Sequence, residues 1–132
     1  MVQHRVLRLV YSNNHMSAFL TKCVFTPDSD GATYTLDEPL IYHSDLVNAD
    51  ITVPTGFVTD LASVPRIFWD IFPPFGKYTQ AAIIHDYIYK GHNYPRGTCD
   101  NIFLEAMIVL GVSWISRNII WSQLRLWGWT HY

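Results

Sequence analysis

The run Tyr78-Thr79-Gln80-Ala81-Ala82-Ile83-Ile84-His85-Asp86-Tyr87-Ile88-Tyr89-Lys90-Gly91 decides the fold. Ala81, Ala82, Ile88 and Tyr89 lie three or four residues from His85, the spacing that places side chains on one helix face. This predicts a helix over Tyr78 to Lys90, with Gly91 as its C-cap residue. Two more helices follow. One starts near Thr98, an N-cap residue type, and stops before Gly111. The other runs from Ser113 or Trp114 to Trp127, with Gly128 beyond it.

Upstream of Asp60 the pattern is that of strands. Val6 to Tyr11 is rich in strand formers, and Asn13-Asn14 offers a turn before Phe19 to Phe25. Pro27 to Gly31 is a second turn signal. Thr33 to Leu36, Leu40 to His43 and Ile51 to Val58 supply further short strands. Pro54 lacks an N–H, so its strand is an edge or is broken there. The expected architecture is α+β: N-terminal antiparallel strands, then a three-helix C-terminal bundle. Residues 1–132 are expected to form a single domain, with 1–58 mainly β, 59–77 a loop and short helix opened by Ser63, Val64 and Pro65, and 78–128 helical.

Composition narrows the function classes. The chain has 132 residues, of which 49% are hydrophobic and only 15% charged, which excludes a disordered protein. A formal charge of −2 gives no reason to expect nucleic acid. Cys23 and Cys99 match no metal spacing; a reduced cytoplasmic protein is the expectation, with a disulfide the alternative. The N-terminus shows no secretory core, and Ala106 to Ser116 is too short an uncharged run to span a bilayer.

The candidate chemistry lies on the first two helices. An imidazole and a carboxylate in apolar surroundings are costly unless paired, hydrogen-bonded or metal-bound. His85 and Asp86 stand about 100° apart on one helix, so both can reach one cleft edge. Asp100 shares a face with Phe103, Leu104 and Met107 and is expected to point inward. The short loop before it allows its carboxylate to fix the His85 tautomer. The alternatives are a core histidine bonded to a carbonyl, a solvated Asp86, and an Asp100 that favours the helix dipole. Asp60, at a strand end, is a candidate ligand or acid. Ser63 reads as a capping hydroxyl, Arg66 as an anion ligand or a partner of Asp60 or Asp70, and Lys90 and His92 as dipole partners. Glu105, on a different face from Asp100, reads as a solvated helix residue, with completion of a carboxylate cluster the alternative.

The last helix carries two stripes: Ile115, Ile119, Ser122 and Leu126, and Trp114, Arg117, Trp121 and Arg125. One side is expected in the core and the other on the surface. The sharper reading is a docking face for a protein partner or a peripheral membrane contact.

Two resemblances add to this. Val53-Pro54-Thr55-Gly56-Phe57-Val58-Thr59-Asp60-Leu61-Ala62-Ser63-Val64-Pro65-Arg66, followed by Ala81 to Tyr89 and Asp100 to Phe103, resembles a small family of unknown function found mostly in bacteriophages and prophages. That implies a phage origin and no established activity. Locally, His85-Asp86 followed by Asp100 is similar to the helix pair of secreted phospholipases. There the histidine is the general base, the adjacent aspartate binds calcium and the distant aspartate orients the histidine. This chain lacks their glycine-rich calcium loop and dense disulfides. The His-Asp metal phosphohydrolases are a weaker likeness, because their further ligand histidines have no counterpart here.

The leading expectation is therefore a phage-encoded, metal-dependent hydrolase acting on a cell-envelope component, peptidoglycan or lipid. His85, Asp100 and Asp60 are its catalytic candidates; His85, Asp86 and Asp60 are its metal ligands. Zinc, calcium and magnesium are the candidate ions. The rival is a non-enzymatic virion or tail-assembly protein that docks to another phage structural protein, in which His85, Asp86 and Asp100 form a buried structural network. Host cytoplasm or virion is the expected location. An inhibitor of a host defence protein is a third possibility.

Overall fold

A computed structural model describes residues 16–61 and 77–127. The architecture is α+β, with antiparallel strands in two sheets followed by helices. The first sheet has the order β1 (Ala18–Phe19), β4 (Leu40–Ser44), β5 (Ala49–Val53). The second has the order β2 (Phe25–Pro27), β3 (Tyr34–Leu36), β6 (Val58–Thr59). Among the described residues three helices follow: α1 (Thr79–Lys90), α2 (Arg96–Val109) and α3 (Trp114–Trp127).

The expected strand from Phe19 to Phe25 is divided between the sheets. Phe19 pairs with Tyr42 in the first, while Phe25 pairs with Leu36 in the second. Between them, the Leu20 N–H donates to the Ile41 carbonyl and the Thr21 hydroxyl to the Pro39 carbonyl. These bonds carry the chain across. Pro27, expected in a turn, ends β2, an edge strand that tolerates its missing N–H. β5 stops at Val53, so Pro54 breaks the strand as expected, and Gly56 turns it back through a left-handed φ of 87°. The expected strand at Val6–Tyr11 and short helix after Ser63 lie outside the described residues.

β4 shows the two-residue alternation of a half-buried strand: Leu40, Tyr42 and Ser44 are buried, Ile41 and His43 only partly. α1 is buried nearly all round, with Ala81 to His85, Ile88 and Tyr89 in the interior. A helix with so little solvent face occupies the centre of a domain. It packs on α2, β5 and β6, and the core joins Leu36, Leu40, Tyr42 and Val53 to Ile83, Ile84, Ile102, Phe103 and Met107.

The helix ends show which local signals held. Gly91 ends α1 but with an ordinary right-handed φ of −79°; the left-handed residue is His92, at 50°. A side chain at Gly91 would collide with that of Asn93. α2 begins at Arg96, not near Thr98. Pro95 sits just before it at φ −54°, ψ 149°, and its carbonyl accepts from the Cys99 N–H. Asp100 therefore lies beyond the first turn, and the dipole explanation for it falls away. Ser113 accepts from the Ser116 N–H and caps α3.

α2 ends as expected at Gly111, whose φ is 76°, while the Val112 N–H closes back on the Met107 carbonyl. Nothing lies within 4 Å of a β-carbon built there. Gly111→Ala is thus expected to cost about 1 kcal/mol from backbone strain alone. Urea denaturation reads that cost as a lower midpoint with an unchanged slope.

Candidate functional site

α1 and α2 join at a buried contact between an imidazole and a carboxylate. His85 Nε2 lies 2.9 Å from Asp100 Oδ1. The histidine is 3% exposed and the aspartate 0%. The geometry follows from local sequence. Gly91 to Pro95 is too short to let the helices diverge, and Ala81 and Ala82 place no bulk one turn before the imidazole. The ring is held between Tyr89 and Phe103, with centroids 4.7 and 5.0 Å away and planes tilted by 34°.

The second carboxylate oxygen is also occupied. Arg125 of α3 donates from Nη1 to Asp100 Oδ2 at 2.9 Å. Arg96 Nε stands 3.9 Å from the same oxygen. The Arg96 Nη2 donates to the Arg125 carbonyl at 2.7 Å and the Leu124 carbonyl at 3.2 Å. A cation on the last carbonyls of a helix is favoured by its dipole. Arg96 thus fastens the end of α3, and Arg125 reaches back from it to Asp100. A buried carboxylate with an imidazole on one oxygen and a guanidinium on the other has hydrogen-bond partners for both oxygens in an apolar interior. Neither arginine was expected from sequence. Asp100 was expected to hold His85, and it does.

Asp86 belongs to a different neighbourhood. Its Oδ2 lies 3.2 Å from Lys90 Nζ, one turn along α1. Thr59 hydrogen-bonds the carboxyl, and the negative charge of Asp60 acts on it. Burial raises the Asp86 carboxyl above the ordinary aspartate value; Thr59 and Lys90 oppose that and Asp60 adds to it. Thr59 is buried at the end of β6 and accepts from the Leu61 N–H, while Asp60 is exposed. Lys90 also stands over the Phe57 ring, 5.7 Å from its centroid.

The structure therefore pairs His85 with Asp100, and brings Asp86 to Lys90 and to Thr59, the residue before Asp60. It does not assemble His85, Asp86 and Asp60 into one ligand set. Among the described residues, no group of three or more His, Cys, Asp or Glu side chains is disposed to hold a metal ion. Ser63 and Arg66 lie outside the described residues.

Glu105 overturns its expected role. It is 0% exposed. Tyr42 donates its hydroxyl to Oε1 at 2.7 Å, and the Leu46 N–H donates to Oε2 at 3.0 Å. Desolvation is the leading influence and raises its carboxyl above the usual value, while Tyr42, Ser44, Leu46 and Ser17 pull it down. The residue ties α2 to β4 and to the turn after it. Helical spacing carries no sign of this, because the partners lie 59 and 63 residues away in the chain.

A second histidine was also missed. His43 stands 2.7 Å from Asp50 through Nδ1 and 3.0 Å from Asp45 through Nε2. The Asp50 contact is the main cause of its raised pKa. Cys23 and Cys99 are both free thiols, each raised by burial to about 11. Neither is poised as a nucleophile.

Residues 34–124 match a family model described as "Protein of unknown function (DUF1353)". The match contains His85, Asp86, Asp100, Asp60 and Glu105 and ends one residue before Arg125. A relative, Uncharacterized protein y4jT from Sinorhizobium fredii (strain NBRC 101917 / NGR234), is 36% identical over 73 residues, which is 53% of this chain and 22% of that protein. The chain thus spans about a fifth of the length of this curated relative. No solved structure matches the chain.

Proposed function

This chain belongs to that DUF1353 family of proteins of unknown function, and we propose that it is a metal-dependent hydrolase, encoded by a phage and acting on a cell-envelope component. The observation that carries this reading is the 2.9 Å contact between His85 Nε2 and Asp100. A carboxylate that fixes one ring nitrogen sets the tautomer and aims the other nitrogen, as a general base requires. The buried carboxylate also stabilises the imidazolium formed when His85 takes a proton from water.

Asp86 and Asp60 supply the second part. Asp60 follows Thr59, which hydrogen-bonds the Asp86 carboxyl, and two carboxylates so placed suit a hard divalent cation, such as calcium or magnesium. Asp86 and Asp60 would hold the ion, which would polarise a substrate oxygen. Zinc is the poorer fit, since this reading gives the other ring nitrogen of His85 to water and leaves only carboxylates for the ion. The resemblance of Val53 to Arg66 and of the His85 region to phage sequences supports the origin. The envelope substrate follows from what a phage has to cross or lyse, from the host cytoplasm or from the virion.

The test is release of soluble fragments from purified bacterial envelopes, with calcium, magnesium or zinc added singly. Wild-type protein is expected to release them with calcium or magnesium. Asp86→Asn should need at least about tenfold more cation, since one of two carboxylate ligands becomes neutral. No release under any of these conditions would sink the proposal.

One observation favours the rival. At 3% exposure His85 is nearly closed to solvent. In a virion or tail-assembly protein the same His85–Asp100–Arg125 chain fixes how three helices pack. That reading expects no turnover and a large loss of stability when His85 is removed.

A further inference from the structure

α3 offers a second function, independent of any hydrolysis. Its stripe of Ile115, Ile119, Ser122 and Leu126 was open to a core reading, but the core takes Ile120 and Leu124 instead. Trp114 is 63% exposed, Ile115 65%, Ile119 38% and Leu126 63%. At steps of four, three and four residues, Ile115, Ile119, Ser122 and Leu126 form one line along the helix, apolar except for Ser122. Large apolar side chains concentrated on one exposed helix face mark a docking surface.

The chemistry of the helix selects the occupant. From Trp114 to Trp127 the only ionisable side chains are two arginines; Arg117 donates to the Val112 carbonyl with its Nε buried, which leaves Arg125 as the cation beside the apolar line. Arg125 flanks the apolar line, about 80° round the helix from Ile115, and its side chain keeps 39% exposure while bonding Asp100. Isoleucine and leucine on one face, an arginine and a tryptophan at its edges and no acidic group are the features of a helix lying in a lipid headgroup layer. Fourteen residues span only about 21 Å at 1.5 Å each, short of the bilayer core. Among the described residues no helix is long and apolar enough to cross a membrane.

We propose that α3 docks this protein, through Trp114, Ile115, Ile119 and Leu126, onto the surface of an anionic lipid bilayer. Because Arg125 joins the same helix to Asp100, docking and the His85 site share one element. The attachment holds equally for an enzyme or a virion protein, so its failure and that of the hydrolase reading are separate results.

The experiment is co-sedimentation with vesicles of phosphatidylglycerol and phosphatidylcholine, beside vesicles of phosphatidylcholine alone. The wild type should sediment with the mixed vesicles, and less so as salt is raised. Ile115→Asp combined with Leu126→Asp should reduce binding by at least about tenfold. These sites are exposed, so circular dichroism should show the variant folded; Ile115→Ser with Leu126→Ser is the milder variant should it unfold. Three outcomes overturn the proposal: no binding to either vesicle, binding that the substitutions leave unchanged, or equal binding to both compositions. A wild-type dimer in solution that the substitutions dissociate would reassign the face to a second copy, and overturns it as well.

Discussion

Asp100→Ala is expected to lower the free energy of unfolding by about 3–5 kcal/mol, the usual cost of breaking a buried ion pair from one side. The carboxylate is 0% exposed and serves His85 on one oxygen and Arg125 on the other. The partners left behind differ. Arg125 is 39% exposed in its side chain, so its guanidinium can turn to water. His85 is enclosed by Tyr89 and Phe103 and cannot, so the loss of the Asp100 oxygen from its Nε2 falls inside the core. Asp100→Asn keeps the shape and one acceptor oxygen but loses the charge, and is expected to cost about half as much. Urea unfolding of both variants checks this, with the shift in midpoint carrying the effect. A loss below about 1 kcal/mol for Asp100→Ala would mean that the three-helix junction does not depend on this carboxylate.

Glu105→Ala is expected to cost about 2–4 kcal/mol, because it leaves the buried Tyr42 hydroxyl and the part-buried Leu46 N–H without their acceptor. The pH dependence has a definite sign. Burial, the leading influence, raises the folded-state carboxyl above the ordinary 4.5. The folded protein then holds that proton to higher pH than the unfolded chain does. This residue's pH-linked contribution is fully present below the unfolded value, and is lost as pH rises through the folded one. Glu105→Gln cannot titrate. Comparing it with wild type in urea from about pH 4 to about pH 7 should show wild type losing ground steadily. Parallel curves would mean that the hydrogen bonds cancel the burial penalty.

The helical half of the fold was legible because its signals are local. Spacing marked α1 to within one residue, and Gly111 marked the end of α2. The inward face of Asp100 followed from Phe103, Leu104 and Met107. The same logic misplaced the start of α2, where Pro95 outweighed the capping preference of Thr98. It also misread Glu105. Periodicity ranks a glutamate as solvent-facing by type, and the hydroxyl and amide that receive it come from β4 and its turn, which only the tertiary fold brings near. Arg125 and Arg96 were invisible for the same reason, since the first reaches Asp100 from 25 residues away. Phe19 to Phe25 read as one strand because strand propensity does not say which neighbour a residue will pair with.

His85 is where stability and function make opposite demands, so it carries the decisive experiment. The measurement is envelope hydrolysis by His85→Ala, with and without added free imidazole. A general base predicts that the variant loses activity and that imidazole, diffusing into the vacated space beside Asp100, restores a measurable part of it. A structural histidine predicts no wild-type turnover to lose, no rescue, and an unfolding midpoint displaced as far as that of Asp100→Ala. The second pattern would contradict the hydrolase reading and leave the His85–Asp100–Arg125 chain as a device for packing helices.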